Sequence, residues 1–401
     1  MSNDSQDQFP AQVVVLSAVR TAIGKYGGGF AAVPPCDLAA TVTREAVSRS
    51  GAAAADVGHA VFGNVIHTEA RDMYLGRVAA VNGGLPVRTP AFTVNRLCGS
   101  GLQAIVSAAQ AIALGDCEVA VAGGAESMSR GMYWLPGMRW GQRMQDGQVT
   151  DAMVGALTDP FDSCHMGVTA ENVAVDYQVS RADQDELAAE SHRRAAAAAA
   201  AGYFLEQIVP VQVPGRKGTA VVVADEHIRP DVTVDDLAKL RPAFAPDGTV
   251  TAGNASGIND AAAAVVLASA GYAGGHGLVP LGRLVGYAHA GVEPRVMGIG
   301  PVPAVHTVLD RTGVKLDDID VFEVNEAFAA QALAVARELD LPPEKTNPNG
   351  SGISLGHPIG ATGAILTVKV LHELRRTGGR YGLVTMCIGG GQGIAAIFER
   401  C

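Results

Sequence analysis

Apolar and polar positions along the chain fall into two alternating textures. Residues 12–18 are almost continuously hydrophobic, the pattern of a strand covered on both faces. Residues 61–66, 91–97 and 118–122 repeat that texture. Between them, residues 37–49 and 102–114 carry apolar side chains at helical spacing, with Asp37 placed as the N-cap of the first. Strands alternating with helices predict an α/β layer fold. The order returns near the C-terminus, with strands at 283–288, 321–324, 381–385 and 394–398 and helices at 304–312, 329–339 and 363–377. That recurrence predicts two copies of one α/β unit. Residues 128–258 differ: they hold both Trp, many Met and an alanine-rich helix at 195–201 with charged flanks. An inserted loop domain is expected there, and loops on a rigid scaffold are where binding usually resides.

Composition narrows the function classes. Of 401 residues, 48% are hydrophobic and 17% charged, which excludes a mainly disordered chain. The formal charge of −10 argues against a general nucleic-acid binder, because phosphate backbones require a basic face. Six scattered cysteines lack zinc-site spacing, so a reduced, cytoplasmic protein without a metal centre is expected. The polar start has no apolar h-region, and no apolar run approaches the ~20 residues of a membrane span.

Four segments combine reactive side chains with glycine. In NRLCGSGLQA, Cys98 occupies the turn between a buried strand and a helix, where exposed N–H groups and the helix dipole favour thiolate. That is a setting for nucleophilic catalysis, against the common alternative of a small core thiol. The same stretch fits G-x-G-x-x-A, yet it follows several βα units instead of the first strand, so a dinucleotide site is a weak reading. In NPNGSGISLGHPIGATGA, His357 stands among five glycines and before Pro358, a stiff turn suited to proton relay. In TMCIGGGQG, Cys387 ends an apolar strand and Gly389 opens a run of bare N–H groups able to face an oxyanion; a hairpin with a buried thiol is the plain alternative. In EVNEAF, Asn325 could orient a water or ligand, and Glu326 could be a charge at a helix N-terminus.

Together, NRLCGSGLQA, GGAESMS, HMGVTAEN, TAGNASGINDAAA, NEAFAAQ, NGSGISLGHPIGATG and CIGGGQG resemble the signatures of the thiolase family, in thiolase order and over nearly the whole chain. The likeness is to the short-chain type, which includes acetyl-CoA acetyltransferases and β-ketothiolases of polyhydroxyalkanoate synthesis. It implies an α/β fold of two αβαβαββ halves in five layers (α-β-α-β-α). Residues 1–127 with 259–278 would form the N-terminal half, 128–258 the loop domain and 279–401 the C-terminal half. It also implies a homotetramer built as a dimer of dimers.

The resemblance carries roles with it. Cys98 matches the acylated nucleophile, His357 its activator, and Cys387 the acid/base acting on the second substrate. Asn325 matches the residue holding a water in one oxyanion site, and the N–H groups of Cys98 and Gly389 match the other. Leu157, His165, Met166, Arg229 and Ser256 match coenzyme A contacts. Phe244 and Phe328 match the apolar tunnel wall, with Met297 near it, and Arg216 and Lys217 would add to a positive patch. The implied reaction is the reversible Claisen condensation of two acetyl-CoA to acetoacetyl-CoA and CoA, with cleavage of five-carbon ketoacyl esters as well. CoA esters are substrates, and no separate cofactor is expected. Three alternatives remain at this point: a decarboxylating ketoacyl synthase, whose sites lack a second catalytic cysteine; a non-catalytic CoA- or lipid-binding relative; and, more distantly, a dehydrogenase.

Overall fold

A computed structural model describes residues 12–215 and 218–401. Arg216 and Lys217 lie outside the described residues. Nine strands form the main path of one mixed sheet: β1 (Val13–Thr21), β2 (Val57–Gly63), β3 (Ala91–Val94), β4 (Val119–Ser127), β5 (Asn259–Ser269), β6 (Gly282–Gly291), β7 (Ile319–Val324), β8 (Tyr381–Ile388) and β9 (Gln392–Arg400). Their order is β7-β8-β9-β6-β1-β5-β4-β2-β3. The principal helices are α1 (Pro35–Ser50), α2 (Leu75–Asn82), α3 (Ser100–Ala113), α4 (Met166–Asp176), α5 (Arg181–Ala200), α6 (Pro301–Thr312), α7 (Ala329–Glu338) and α8 (Thr362–Thr377).

The sheet order contains the duplication. In β1-β5-β4-β2 and in β6-β9-β8-β7, a first strand lies beside the last, then the third, then the second. The second and third strands are parallel in both copies, and the remaining pairs antiparallel. The copies meet where β1 and β6 pair over residues 13–15 and 282–284.

Side-chain alternation along the strands builds the layers. Val13 and Val15 of β1 enter a central core with Leu102 and Ile105 of α3 and Ile365 and Val368 of α8. Val14 and Leu16 face the opposite way, into a core with Leu38 and Val42 of α1. A third core packs Val285 of β6 and Ile397 of β9 against Val305 and Val308 of α6. Helices therefore lie outside, between and outside two sheet portions, the five layers that the resemblance implies. Helices α3 and α8 are the middle layer, and both begin at the candidate site.

Several elements differ from the periodicity reading. Helix α1 starts at Pro35, with Pro34 as N-cap, because proline at N1 presets the helical φ. Asp37 is thus a first-turn residue and no cap; its carboxylate pairs with Arg71. The strand expected through residue 97 stops at Val94, since Leu97 turns at φ 45°. The alanine-rich helix at 195–201 is the end of the 20-residue α5, which opens at Ser180 in a capping box with Asp183. Strand β5, rich in alanine, has no counterpart among the expected strands. Its place between β1 and β4 overrides alanine's helical preference, and nearly all of it is buried.

Candidate active site

The turn after β3 is held by its own polar side chains. Asn95 Oδ1 accepts from the Leu97 N–H at 2.9 Å, and Ser100 Oγ accepts from the Arg96 N–H at 2.9 Å. Cys98 follows Leu97, and α3 starts two residues later. A Cβ on Gly101 would stand 2.7 Å from the Ala364 nitrogen, so only glycine lets α3 cross the start of α8 this closely. That crossing brings Cys98 to the loop that bears His357.

The environment of Cys98 corrects the expectation of a resting thiolate. Burial pushes the thiol up to about 11, and the nearby Glu126 adds to the rise. The Gly389 N–H, hydrogen-bonded to the sulfur, and the residue's own N–H oppose it without prevailing. Desolvation outweighs the helix N-terminus here, so Cys98 rests as a thiol and needs a base.

His357 is placed to be that base. Gly356 takes φ 112°, a conformation reserved for glycine, and the His357 N–H donates to Asn259 Oδ1 at 3.0 Å. Its Nδ1 lies 2.6 Å from Thr362 Oγ1, and its Nε2 3.5 Å from Asn325 Nδ2. Burial holds the imidazole down to about 4, so it is neutral and able to accept a proton. Asn325 lies just beyond the end of β7, fully buried, its N–H donating to Thr385 O at 3.0 Å. Its Oδ1 has no hydrogen-bond partner in the fold. Cys387, at the end of β8, is also fully buried. Burial first, and then the neighbouring Cys98, push its thiol far up.

A cavity of about 700 Å³ leads to these groups. Cys98, His357, Cys387 and Gly389 line it, together with all five expected coenzyme A contacts and the three expected tunnel-wall residues. Asn325 is not among the lining residues, and its Nδ2 lies beside His357 Nε2. His165 stacks on Phe244 with ring centres 4.8 Å apart, and Phe328 meets Phe244 edge-on at 6.1 Å. His165 Nδ1 accepts from the Gly167 N–H at 3.0 Å, capping α4 and leaving the proton on Nε2. Arg229 is exposed, among residues lining the cavity.

Sequence reasoning missed the strap that carries Arg229. Arg20 and Asp225, both buried, form a two-pronged ion pair at 2.8 and 3.0 Å, and Asp225 Oδ1 also accepts from the Ile23 N–H. Glu226 accepts the N–H groups of Lys25 and Gly29. Lys25, Tyr26 and His227 join Arg229 in the cavity lining. The partners are about 200 residues apart in sequence, so no local pattern marks them.

Buried acids support the catalytic loops. Glu126 accepts from Asn64 Nδ2 and from the N–H groups of Val65, Ile66 and Gly360, joining two loops at the site. Glu326, read from sequence as a possible helix-end charge, is instead buried and bonded to Ser191 Oγ and Asn347 Nδ2. Among the described residues, no group of three or more His, Cys, Asp and Glu side chains could hold a metal ion.

These groups give stability a defined pH dependence. Burial, first among the causes, holds His192, His227, His289 and His357 down to about 4, below the ordinary 6.5. The unfolded chain takes up protons there that the fold refuses, so stability falls as pH drops from 6.5 toward 4. Burial raises Glu126 to about 8 and Glu323 to about 7, from 4.5. The folded chain keeps those protons longer, so their contribution falls as pH rises toward 8. Burial also lowers His59, His165 and His372 and raises Asp260 and Glu326, so imidazoles outnumber the opposing carboxyls below 6.5, and the carboxyls act without them above it. Urea midpoints between about pH 5 and pH 8.5 should therefore peak near pH 6.5; a steady rise to pH 8 would contradict this balance.

The arrangement of two thiols, an imidazole and an amide at the end of a tunnel, on a duplicated α/β scaffold, defines an acyl-transfer site. Comparison with known proteins gives the class. The profile described as "Thiolase, N-terminal domain" matches residues 13–271, and that described as "Thiolase, C-terminal domain" matches residues 278–400. The chain belongs to the thiolase family. It is 66% identical to the beta-ketothiolase BktB of Cupriavidus necator over 390 residues, which is 97% of this chain and 99% of that protein. It is 51% identical to an acetyl-CoA acetyltransferase of Chromobacterium violaceum over 97% of this chain and 100% of the relative. Among solved structures, Bacillus anthracis acetyl-CoA acetyltransferase aligns with a TM-score of 0.96 at 47% identity, covering 98% of this chain and 100% of that one. Human mitochondrial 3-ketoacyl-CoA thiolase in complex with CoA aligns at 0.94 with 44% identity, covering 98% and 99%.

Proposed function

We propose that the protein is a short-chain β-ketothiolase that interconverts two acetyl-CoA with acetoacetyl-CoA and CoA. The observation that carries this reading is the meeting of Cys98, Cys387 and His357 in the lining of one cavity, with Cys387 and His357 buried. In the first half-reaction, His357 takes the Cys98 proton and the sulfur attacks the acetyl-CoA carbonyl. The C–S bond to CoA breaks as the Cys387 thiol gives its proton to the leaving sulfur, so that CoA departs as the thiol and acetyl-Cys98 remains beside a Cys387 thiolate and a protonated His357. In the second, the Cys387 thiolate removes an α-proton from another acetyl-CoA. The carbanion forms a C–C bond to the acetyl carbonyl as the bond to Cys98 Sγ breaks, releasing acetoacetyl-CoA, and His357 returns its proton to Sγ. N–H groups such as Gly389, and Asn325 acting through a water, would hold negative oxygen. A single-thiol decarboxylating site is less well supported, because Cys387 faces the same tunnel end as Cys98. Arg229 at the mouth suits the anionic end of CoA, and the His165–Phe244 stack suits its thin pantetheine arm.

The tunnel end sets substrate length. A Cβ on Gly389 would lie 3.0 Å from the Met166 methyl, and Met166, Met297 and Phe328 form one apolar cluster with Cys387. Cys98 itself packs with Met128, Ile359 and Leu157. Methionine adapts to a small extension. Beyond that, a carbon without room forgoes about 0.8 kcal/mol of burial and adds about 1–3 kcal/mol of overpacking. Thiolysis of acetoacetyl-CoA and 3-ketovaleryl-CoA is expected to be efficient, with kcat/KM at least about tenfold lower by eight carbons. No thiolysis of either short ester would end the proposal, and a maximum at eight or ten carbons would overturn the length assignment.

We further propose a homotetramer, a dimer of dimers. The arm at 132–149 leaves Trp134, Leu135, Met138 and Trp140 exposed, with Trp140 89% accessible in the single chain. Such a patch calls for a protein cover. Light scattering should return a four-chain mass, and Trp140→Ser with Met138→Ser should shift it toward the dimer; a monomeric parent would refute the assembly. No described helix is long and apolar enough to cross a membrane.

A further inference from the structure

Thr362 does not line the tunnel itself, yet its hydroxyl oxygen meets Nδ1 of the catalytic imidazole that does. We infer that Thr362 is a positioning residue that selects the tautomer of His357 and so makes Nε2 the base for Cys98. The inference deepens the thiolase reading and rests on it for the identity of the reaction, not for the hydrogen-bond logic.

That logic is a matter of counting protons. Thr362 is the first residue of α8 and 2% exposed. Its hydroxyl donates to Pro358 O at 3.0 Å, a carbonyl that also accepts from the Ala361 N–H at 2.8 Å and the Thr362 N–H at 3.0 Å. With the hydroxyl's one proton on that carbonyl, the oxygen accepts from its other neighbour, His357 Nδ1, at 2.6 Å. Nδ1 must then carry the hydrogen, and a neutral imidazole leaves the lone pair on Nε2. Asn325 Nδ2, a donor, stands 3.5 Å from Nε2, which suits a lone pair there. The Pro358 carbonyl belongs to the residue after His357, so the loop that carries the imidazole also fixes the hydroxyl that orients it. Without this contact the buried ring could place either nitrogen toward Cys98, and only one has a lone pair at a time.

Thr362→Val keeps the branched shape and removes the oxygen; Thr362→Ser keeps the oxygen. Two readouts separate positioning from folding. In thiolysis of acetoacetyl-CoA, the Val variant should lose kcat on the order of 10²-fold, the size of a general-base contribution, with KM little changed. Alkylation of Cys98 by iodoacetamide, followed by peptide mass spectrometry, should slow in parallel, and the Ser variant should recover most of both rates. A Val variant with wild-type kcat, or one that loses kcat while alkylation is unaltered, overturns the inference. ¹⁵N-histidine spectra of the wild-type protein need no variant to fold: His357 should show a protonated Nδ1 and an unprotonated Nε2, and the reverse pattern overturns the inference. If alkylation and spectra behave as expected but no ketoacyl-CoA is cleaved, the thiolase reading fails and the tautomer assignment stands.

Discussion

Replacing Cys98 by alanine is expected to lower thiolysis of acetoacetyl-CoA on the order of 10⁴-fold or more, as loss of a nucleophile does when no neighbour can replace it. The neighbour here is Cys387, a thiol pushed far above the usual range by burial and by Cys98 itself. It has no imidazole bonded to it, whereas the Cys98 sulfur receives the Gly389 N–H. Cys387→Ala should be comparably slow in condensation for a different reason: the acyl-enzyme still forms, but the α-proton of the second substrate stays in place. Incubated with acetyl-CoA, this variant should carry one acetyl group, found on Cys98 by peptide mass spectrometry. Acetyl found only on Cys387 of the parent protein, or a Cys98→Ala variant within tenfold of the parent, would reverse the two roles.

What could be read from the chain depended on how local its cause is. The turns around Cys98 and His357 announce themselves, because close approach at Gly101 and a φ of 112° at Gly356 require glycine beside the reactive residue. The duplicated order of strands and helices is equally local, since each element carries its own periodicity. Strand β5 escaped because its alanines declare nothing by themselves; its neighbours β1 and β4 supply the burial that decides it. The thiol state of Cys98 was misjudged for a related reason: a sequence shows the helix start but not the burial that overrides it. The strap holding Arg229 depends on Arg20 meeting Asp225, a tertiary pairing with no spacing to detect. The same holds for the acids beneath the catalytic loops. Glu323 was visible only as part of a motif, and its partner Lys369 looked like an ordinary helix residue.

Lys369→Met is expected to destabilise the protein by about 3–5 kcal/mol, the usual cost of leaving one member of a buried ion pair alone. Lys369, on α8, is 1% exposed, and its Nζ binds Glu323 Oε2 at 2.6 Å and Gly350 O at 2.5 Å. Glu323 is fully buried on β7, two residues before Asn325, and its Oε1 has no hydrogen-bond partner. Burial already raises its carboxyl to about 7, with Glu373 and Glu326 adding to the rise and Lys369 opposing it. Removing the ammonium takes away the main force favouring the charged form, so the folded-state pKa climbs further above the unfolded 4.5. The fold then retains a proton that the unfolded chain releases, and stability falls as pH rises through that window. The deficit of Lys369→Met should accordingly be smaller near pH 5.5 than near pH 8. Adding Glu323→Gln should recover most of the loss at pH 8, because it removes the stranded charge while keeping the shape. Catalysis should suffer beyond stability, since Gly350 lies in the loop leading to His357 and Glu323 in the strand leading to Asn325. Urea unfolding of the single and double variants at both pH values tests the electrostatic account: equal deficits at the two pH values, or no recovery in the double variant, would mean that packing of the Lys369 stem, and not its charge, supports this corner of the site.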